Sequence, residues 1–196
     1  CRPKFAIMNP ELTMTLPQYQ TECGCTDILM HTMERYFVSG TTMEITDSIS
    51  EALMRTVIAN TRILMKNPQD YNARAEIMWA GSLSHNDLTG CGNDGNDFST
   101  HRLEHELGGM FDVAHGAGLA AIWGSWARYV YKNCLNRFKK FAINVWNISD
   151  TGNDEEIALN GILTTEEFFR EINMPTNLKE LGINPSESQL IELAEK

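Results

Sequence analysis

The sequence predicts an all-α fold, a helical bundle-like domain with a short extended segment at its N-terminus. Three observations carry this. Helical spacing or helix-forming composition covers residues 18–39, 44–66, 69–89, 98–108, 116–133, 134–147, 154–173 and 186–195. Breaks separate these stretches at Gly40, Asn67-Pro68, Gly90 to Asp97, Gly108-Gly109, Thr151-Gly152 and Met174-Pro175. Strand-like patterning is confined to Lys4–Met8 and Leu12–Leu16.

In chain order, residues 1–17 form the extended segment. It opens on Cys1-Arg2-Pro3-Lys4 and runs straight into Phe5-Ala6-Ile7-Met8, so the chain reads as a piece of something longer. The apolar run is too short for the core of a signal peptide. Residues 18–196 form the helical domain. In 44–66, Thr46 or Asp47 can cap the start, Ile45, Ile49, Leu53, Val57 and Leu64 make an apolar stripe, and Asn67-Pro68 stops the helix. Tyr71, Ala75, Met78 and Trp79 begin the stripe of the next helix. Four Trp and ten Met mostly fill the core. The run Cys91 to Asp97 has oxygen-bearing residues but no closing Glu at the offset a calcium loop needs, and reads as a turn. Gly116-Ala117-Gly118-Leu119-Ala120-Ala121 fits G-x-G-x-x-A but follows no strand, and the next acidic residue is Asp150. Close helix packing is its better reading.

Composition narrows the function. With 42% hydrophobic and 21% charged residues the 196-residue chain is ordinary globular protein, which excludes disorder and low complexity. Lys and Arg number 16 against 26 Asp and Glu, a formal charge of −10 with no basic stripe. Nucleic acid and anionic membrane surfaces are therefore poor partners. No apolar run approaches the roughly 20 residues that cross a bilayer. The five Cys follow no disulfide framework and read as free thiols of a reducing cytoplasm.

The histidines carry the chemistry. Asp27 and His31 are four residues apart on one helix face, so a carboxylate oxygen and an imidazole nitrogen can converge. His101 and His105 repeat that spacing, and His115 follows. On one straight helix His101 and His115 would stand about 21 Å apart. Both can bind one ion if the chain bends back, for which Gly108-Gly109 offers a place. A carboxylate with imidazoles and no thiolate suits Fe(II) or Zn(II). Spacing leaves open whether His101 or His105 joins His115. It also leaves two other readings: a metal hydrolase using His105 with Glu104 or Glu106 as base, and a non-catalytic module with packing histidines. His85 reads as structural.

These stretches resemble the iron-containing (group III) alcohol dehydrogenases, on the butanol dehydrogenase and NADPH-dependent aldehyde reductase branch. The resemblance rests on Phe5 to Pro17, on Gly24-Cys25-Thr26-Asp27-Ile28-Leu29-Met30-His31 through Tyr36, on Thr100-His101-Arg102-Leu103-Glu104-His105-Glu106-Leu107, and on Phe168 to Thr176 with Leu181-Gly182-Ile183. Asn9 stands where the family usually has Asp, which weakens a turn contact. The resemblance implies a dehydroquinate synthase-like C-terminal domain, and Asp27, His31, His101 and His115 as ligands of Fe(II) or Zn(II). It implies that His105 stands near the reacting carbon as a catalytic positioning or proton-relay group, and that Leu12 and Thr15 lie along the NAD(P)H cofactor. The implied activity interconverts a small alcohol and an aldehyde by hydride transfer. That activity needs an N-terminal nucleotide-binding domain, whose Gly-rich loop has no counterpart here. Residues 1–17 would be its last segment, the piece alone would be inactive, and the full-length enzyme would be a cytoplasmic homodimer.

Overall fold

Pro17 ends the extended lead-in and the chain becomes helical at Gln18, because a fixed proline φ is compatible with a helix start but not its interior. The computed structural model describes residues 3–38, 43–95 and 97–194; the break expected at Gly40 lies outside them. Eight α-helices follow in order: α1 (Gln18–Tyr36), α2 (Glu44–Lys66), α3 (Tyr71–His85), α4 (Ser99–Phe111), α5 (His115–Val130), α6 (Leu135–Asn144), α7 (Asp154–Glu171) and α8 (Glu187–Ala194). Asp70 caps α3 by accepting the Ala73 N–H at 3.0 Å, and Asn153 caps α7 through the Glu155 N–H at 2.8 Å. Asp154, Glu155 and Glu156 complement the dipole of α7's first turn.

Helix α1 is the hub, packing on α2, α3 and α5, while α6 pairs with α7 and α5 leans on both α4 and α7. Trp123, Phe138, Phe141, Phe168, Phe169, Met30, Met33 and Met54 are fully buried at the centre, with the Phe37 and Phe138 rings stacked at 4.1 Å. Small residues set the helix crossings. A Cβ on Gly116 would stand 2.2 Å from the Cys23 carbonyl oxygen, which locks α5 against α1. One on Gly161 would stand 2.7 Å from Ala142 Cβ at the α6–α7 contact. The glycine run of 116–121 is thus a packing device that opens α5, with no strand before it among the described residues.

Four expectations are corrected. No β-strand forms among the described residues: Lys4–Met8 is irregular, and Leu12–Leu16 gives way to a 3-10 turn at Pro10–Thr13 and the bend after it. A strand needs a neighbour to complete its backbone hydrogen bonds, and none lies beside this segment. Asn9 does make the turn contact, its side chain accepting the Glu11 N–H at 3.1 Å. In α2 the stripe starts one turn late, since Ile45 is 78% exposed and the first turns bury Asp47, Ser50 and Glu51. Neither Thr46 nor Asp47 caps that helix, which starts at Glu44. In α3 half of the supposed stripe faces outward: Tyr71 and Trp79 are exposed and Ala75 and Met78 half-buried, whereas Ala73, Arg74, Ala80 and Ser84 are buried. Finally, α4 runs through Gly108 and Gly109, and the chain turns at Asp112, which adopts φ +52° in the left-handed region. Aspartate tolerates that conformation better than most residues.

Candidate metal centre

Asp27 and His31 share one face of α1, a turn apart, with His31 Nε2 3.6 Å from Asp27 Oδ1. Helix α4 brings His101 to the same atom, its Nε2 at 3.3 Å. The turn at Asp112 folds α5 back along α4, and His115, the first residue of α5, sets its Nε2 3.4 Å from that oxygen. The predicted bend is therefore real, though three residues beyond the glycines. Three imidazole nitrogens from three helices converge on one carboxylate oxygen.

Two buried glutamates aim those rings. Glu34, one helical turn beyond Met30 on α1, is fully buried. One of its oxygens accepts the backbone N–H groups of Thr100 at 2.8 Å and His101 at 3.2 Å, and the other pairs with His101 Nδ1. A single side chain thus caps α4 from a neighbouring helix and fixes the His101 ring. Glu104, also buried, takes His115 Nδ1 in the same way. With Nδ1–H donated outward to a carboxylate, each ring turns its Nε2 inward, the nitrogen that a cation would take in place of a proton. The sequence reading missed Glu34 entirely and considered Glu104 only as a base. The available signal was the spacing itself: Glu34 lies seven residues after Asp27 on the same helix face, and Glu104 three after His101.

The electrostatics show what such a site wants. Burial alone would raise the Asp27 carboxyl, but hydrogen bonding with His101, His115 and His85 holds it well below the usual carboxylate range. Hydrogen bonds to Asp27 and Glu104 push His115 up to about 10. Burial opposes a charge on His101, yet Asp27 and Glu34 raise it. Burial drives His31 down to about 3, helped by His85, His101 and Arg35. Its Nδ1 is buried without a hydrogen-bond partner, leaving Nε2 as the ring's polar contact. Three carboxylates (Asp27, Glu34 and Glu104) around these imidazoles draw positive charge, which protons supply in the metal-free chain and a dication would supply with the rings neutral. Asp27, His101 and His115 offer ligand atoms within 4.8 Å of one another, and so do Asp27, His31 and His85. The donor set fits Fe(II) or Zn(II): hard oxygen, borderline nitrogen, no sulfur.

The remaining candidates fall elsewhere. His105 lies exposed on α4 with its ring 5.3 Å from His115 and 6.2 Å from His101, beside the cluster rather than at its centre. Glu104, His105 and His115 also lie within 4.8 Å of one another, but Glu104 and His115 there share a proton on Nδ1. Leu12, 74% exposed, and exposed Thr15 sit on the N-terminal turn, which is tied to the α2–α3 loop by the Gln69 amide donating to the Met14 carbonyl at 2.9 Å. His85, read from the sequence as structural, is at the site: its Nε2 is 3.3 Å from Asp27 Oδ2.

Fold and site together define a helical domain organised around a cluster of carboxylate and imidazole groups that could hold a metal ion. A family model described as Fe-containing alcohol dehydrogenase family, C-terminal, matches residues 21–196. NADH-dependent butanol dehydrogenase A of Clostridium acetobutylicum is 39% identical over 191 residues, 97% of this chain and 49% of its own length. NADPH-dependent aldehyde reductase YqhD of Escherichia coli is 34% identical over 94% of this chain and 47% of its own. The crystal structure of NADH-dependent butanol dehydrogenase A from Thermotoga maritima superposes with a TM-score of 0.88 at 34% identity, covering 95% of this chain and 46% of that one. The crystal structure of E. coli YqhD superposes with a TM-score of 0.93 at 32% identity, covering 99% and 50%. This chain belongs to the Fe-containing alcohol dehydrogenase family and carries its C-terminal domain. It spans about half the length of the curated relatives it matches.

Proposed function

We propose that this chain is the metal-binding half of an NAD(P)H-dependent oxidoreductase that interconverts a small alcohol and its aldehyde. Asp27, His31, His101 and His115 hold Fe(II) or Zn(II). One observation carries this reading: three Nε2 atoms face one Asp27 oxygen, with two of the rings fixed by buried carboxylates at Nδ1. When bound, the cation acts as a Lewis acid on the C–O group, polarising the aldehyde or favouring the alkoxide.

The residues of this chain do the rest. Glu34 and Glu104 keep His101 and His115 in the tautomer that ligates. His105, exposed beside His115, holds and moves a proton at its ring or orients the substrate oxygen. Leu12 and Thr15 lie along the path of the nicotinamide cofactor. Residues 1–17 are the end of a nucleotide-binding domain, for which the relatives' double length and exposed Phe5, Ile7 and Leu12 are the support. Hydride transfer needs that domain, so the 196 residues alone are inactive, and the full enzyme works as a homodimer. Free thiols at Cys23, Cys25, Cys91 and Cys134 support a cytoplasmic location. Among the described residues no helix is long and apolar enough to cross a membrane. Of the two bases a hydrolase could use, Glu104 is buried against His115, which leaves that reading only Glu106.

The test is metal content of the purified chain. His101→Ala loses the metal and His105→Ala keeps it. In the protein carrying its nucleotide-binding half, His105→Ala lowers aldehyde reduction with NAD(P)H at full metal occupancy. Equal metal loss in both variants, or retention in both, would refute the ligand set.

A further inference from the structure

We propose that His85 is a fifth protein ligand, contributed by α3, to the cation held by Asp27, His31, His101 and His115. The proposal rests on the metal reading above and extends it. His85 Nε2 stands 3.3 Å from Asp27 Oδ2, the carboxylate oxygen opposite the one the other three imidazoles approach. Its ring lies against that of His31, centroids 3.9 Å apart. Asp27, His31 and His85 supply ligand atoms mutually within 4.8 Å, as do Asp27, His101 and His115, and Asp27 is common to both groups.

The polarity of the ring argues for a cation. His85 Nδ1 is 2.9 Å from the Gly81 carbonyl oxygen and 2.7 Å from Ser84 Oγ, whose own hydroxyl donates to that same carbonyl at 3.0 Å. A carbonyl only accepts, so Nδ1 carries the proton. Nε2 is then the ring nitrogen turned toward the site, facing Asp27 Oδ2. In the metal-free chain a proton can bridge that contact, and a bound cation would take the proton's place between imidazole nitrogen and carboxylate. This is the polarity that Glu34 and Glu104 impose on His101 and His115, achieved here with backbone.

The placement of His85 is built. Gly81, one turn earlier, lets α3 approach α1, since a Cβ there would stand 3.2 Å from Ile28 Cδ1. Arg35 then pins the end of α3 to α1. Its guanidinium donates to the Ser84 carbonyl at 2.6 Å, to the His31 carbonyl at 2.9 Å, and to Asp87 Oδ1 at 3.0 Å. One buried arginine therefore registers His85 against His31. Five protein ligands leave a six-coordinate ion a single position for substrate oxygen, which suits Fe(II) better than tetrahedral Zn(II).

The test is Co(II) titration of the metal-stripped chain and its His85→Ala variant, following visible absorption and stoichiometry. His85 is 40% exposed on the last turn of its helix, so its loss leaves the fold intact, which circular dichroism checks. Both proteins take up one Co(II). The native chain shows the weak bands of a high-coordinate ion, and His85→Ala shows stronger, tetrahedral-like bands with about tenfold weaker binding. Identical spectra and affinities overturn the fifth ligand and leave the four-ligand centre standing. Loss of a second equivalent in the variant also overturns it, in favour of two cations. A native chain that takes up no Co(II) overturns the metal reading itself.

Discussion

Two of the domain's buried polar clusters solve the same problem in opposite ways. Between α1, α2 and α6, Asp47 accepts from Arg137 through both oxygens at 2.7 Å and from Lys140 at 2.7 Å. Glu51 accepts from the Tyr36 hydroxyl at 2.7 Å and the Asn144 amide at 2.9 Å, and Arg137 also donates to the Tyr36 carbonyl at 2.6 Å. Every donor there meets an acceptor inside the protein. Around Asp27 the pattern is reversed: three imidazole Nε2 atoms crowd one carboxylate oxygen, and the Nδ1 sides of His101 and His115 turn away to Glu34 and Glu104. A cluster that closes on itself is scaffold, whereas one that leaves ligand atoms crowded together fits the proposed cation site.

The contrast is broken most forcefully at the scaffold. Arg137→Ala leaves buried Asp47 with Lys140 as its one remaining cation partner, and lowers folding stability by about 3 kcal/mol in urea unfolding. Metal affinity of the folded chain stays unchanged. Glu34→Gln does the converse: metal affinity falls about 10- to 100-fold by competition with a chelator, because His101 loses the carboxylate that orients it. Should Glu34→Gln bind metal like the native chain, aiming of the ring by Glu34 would be wrong.

The mildest effect is in acid. Burial would raise the Asp47 carboxyl, but hydrogen bonds from Arg137 and Lys140 outweigh it and depress it below its unfolded value near 4. A depressed carboxylate stabilises the fold fully above that unfolded value and loses the contribution as pH falls below about 4. Unfolding free energy of the metal-free chain therefore declines on that side, and Arg137→Ala flattens the decline. A slope that is equally steep in the variant would remove Asp47 from the account.

The sequence was legible where physics is local. Helix spans came out within a few residues because proline, glycine and Asx signals mark their ends, and Asp27 with His31 was readable as an i, i+4 pair. Facing was less legible. Tyr71 and Trp79 looked like a core stripe, yet α3 turns small residues inward because α1 approaches closely at Gly81. The bend before His115 was anticipated, but its place was set by Asp112 rather than the glycines. Glu34 shares the Asp27 face by its spacing, but its partner on α4, like the place of His85, is set only where helices meet. Nothing in the spacing of residues 85 and 101 announces that α1, α3 and α4 come together at one point.

The central claim is most directly tested by anomalous diffraction from crystals of the chain loaded with Fe(II) or Zn(II). The account predicts one strong peak about 2.0–2.2 Å from an Asp27 oxygen and from the Nε2 atoms of His31, His101 and His115. A peak seated instead on Glu104, His105 and His115, or none near Asp27, would contradict it.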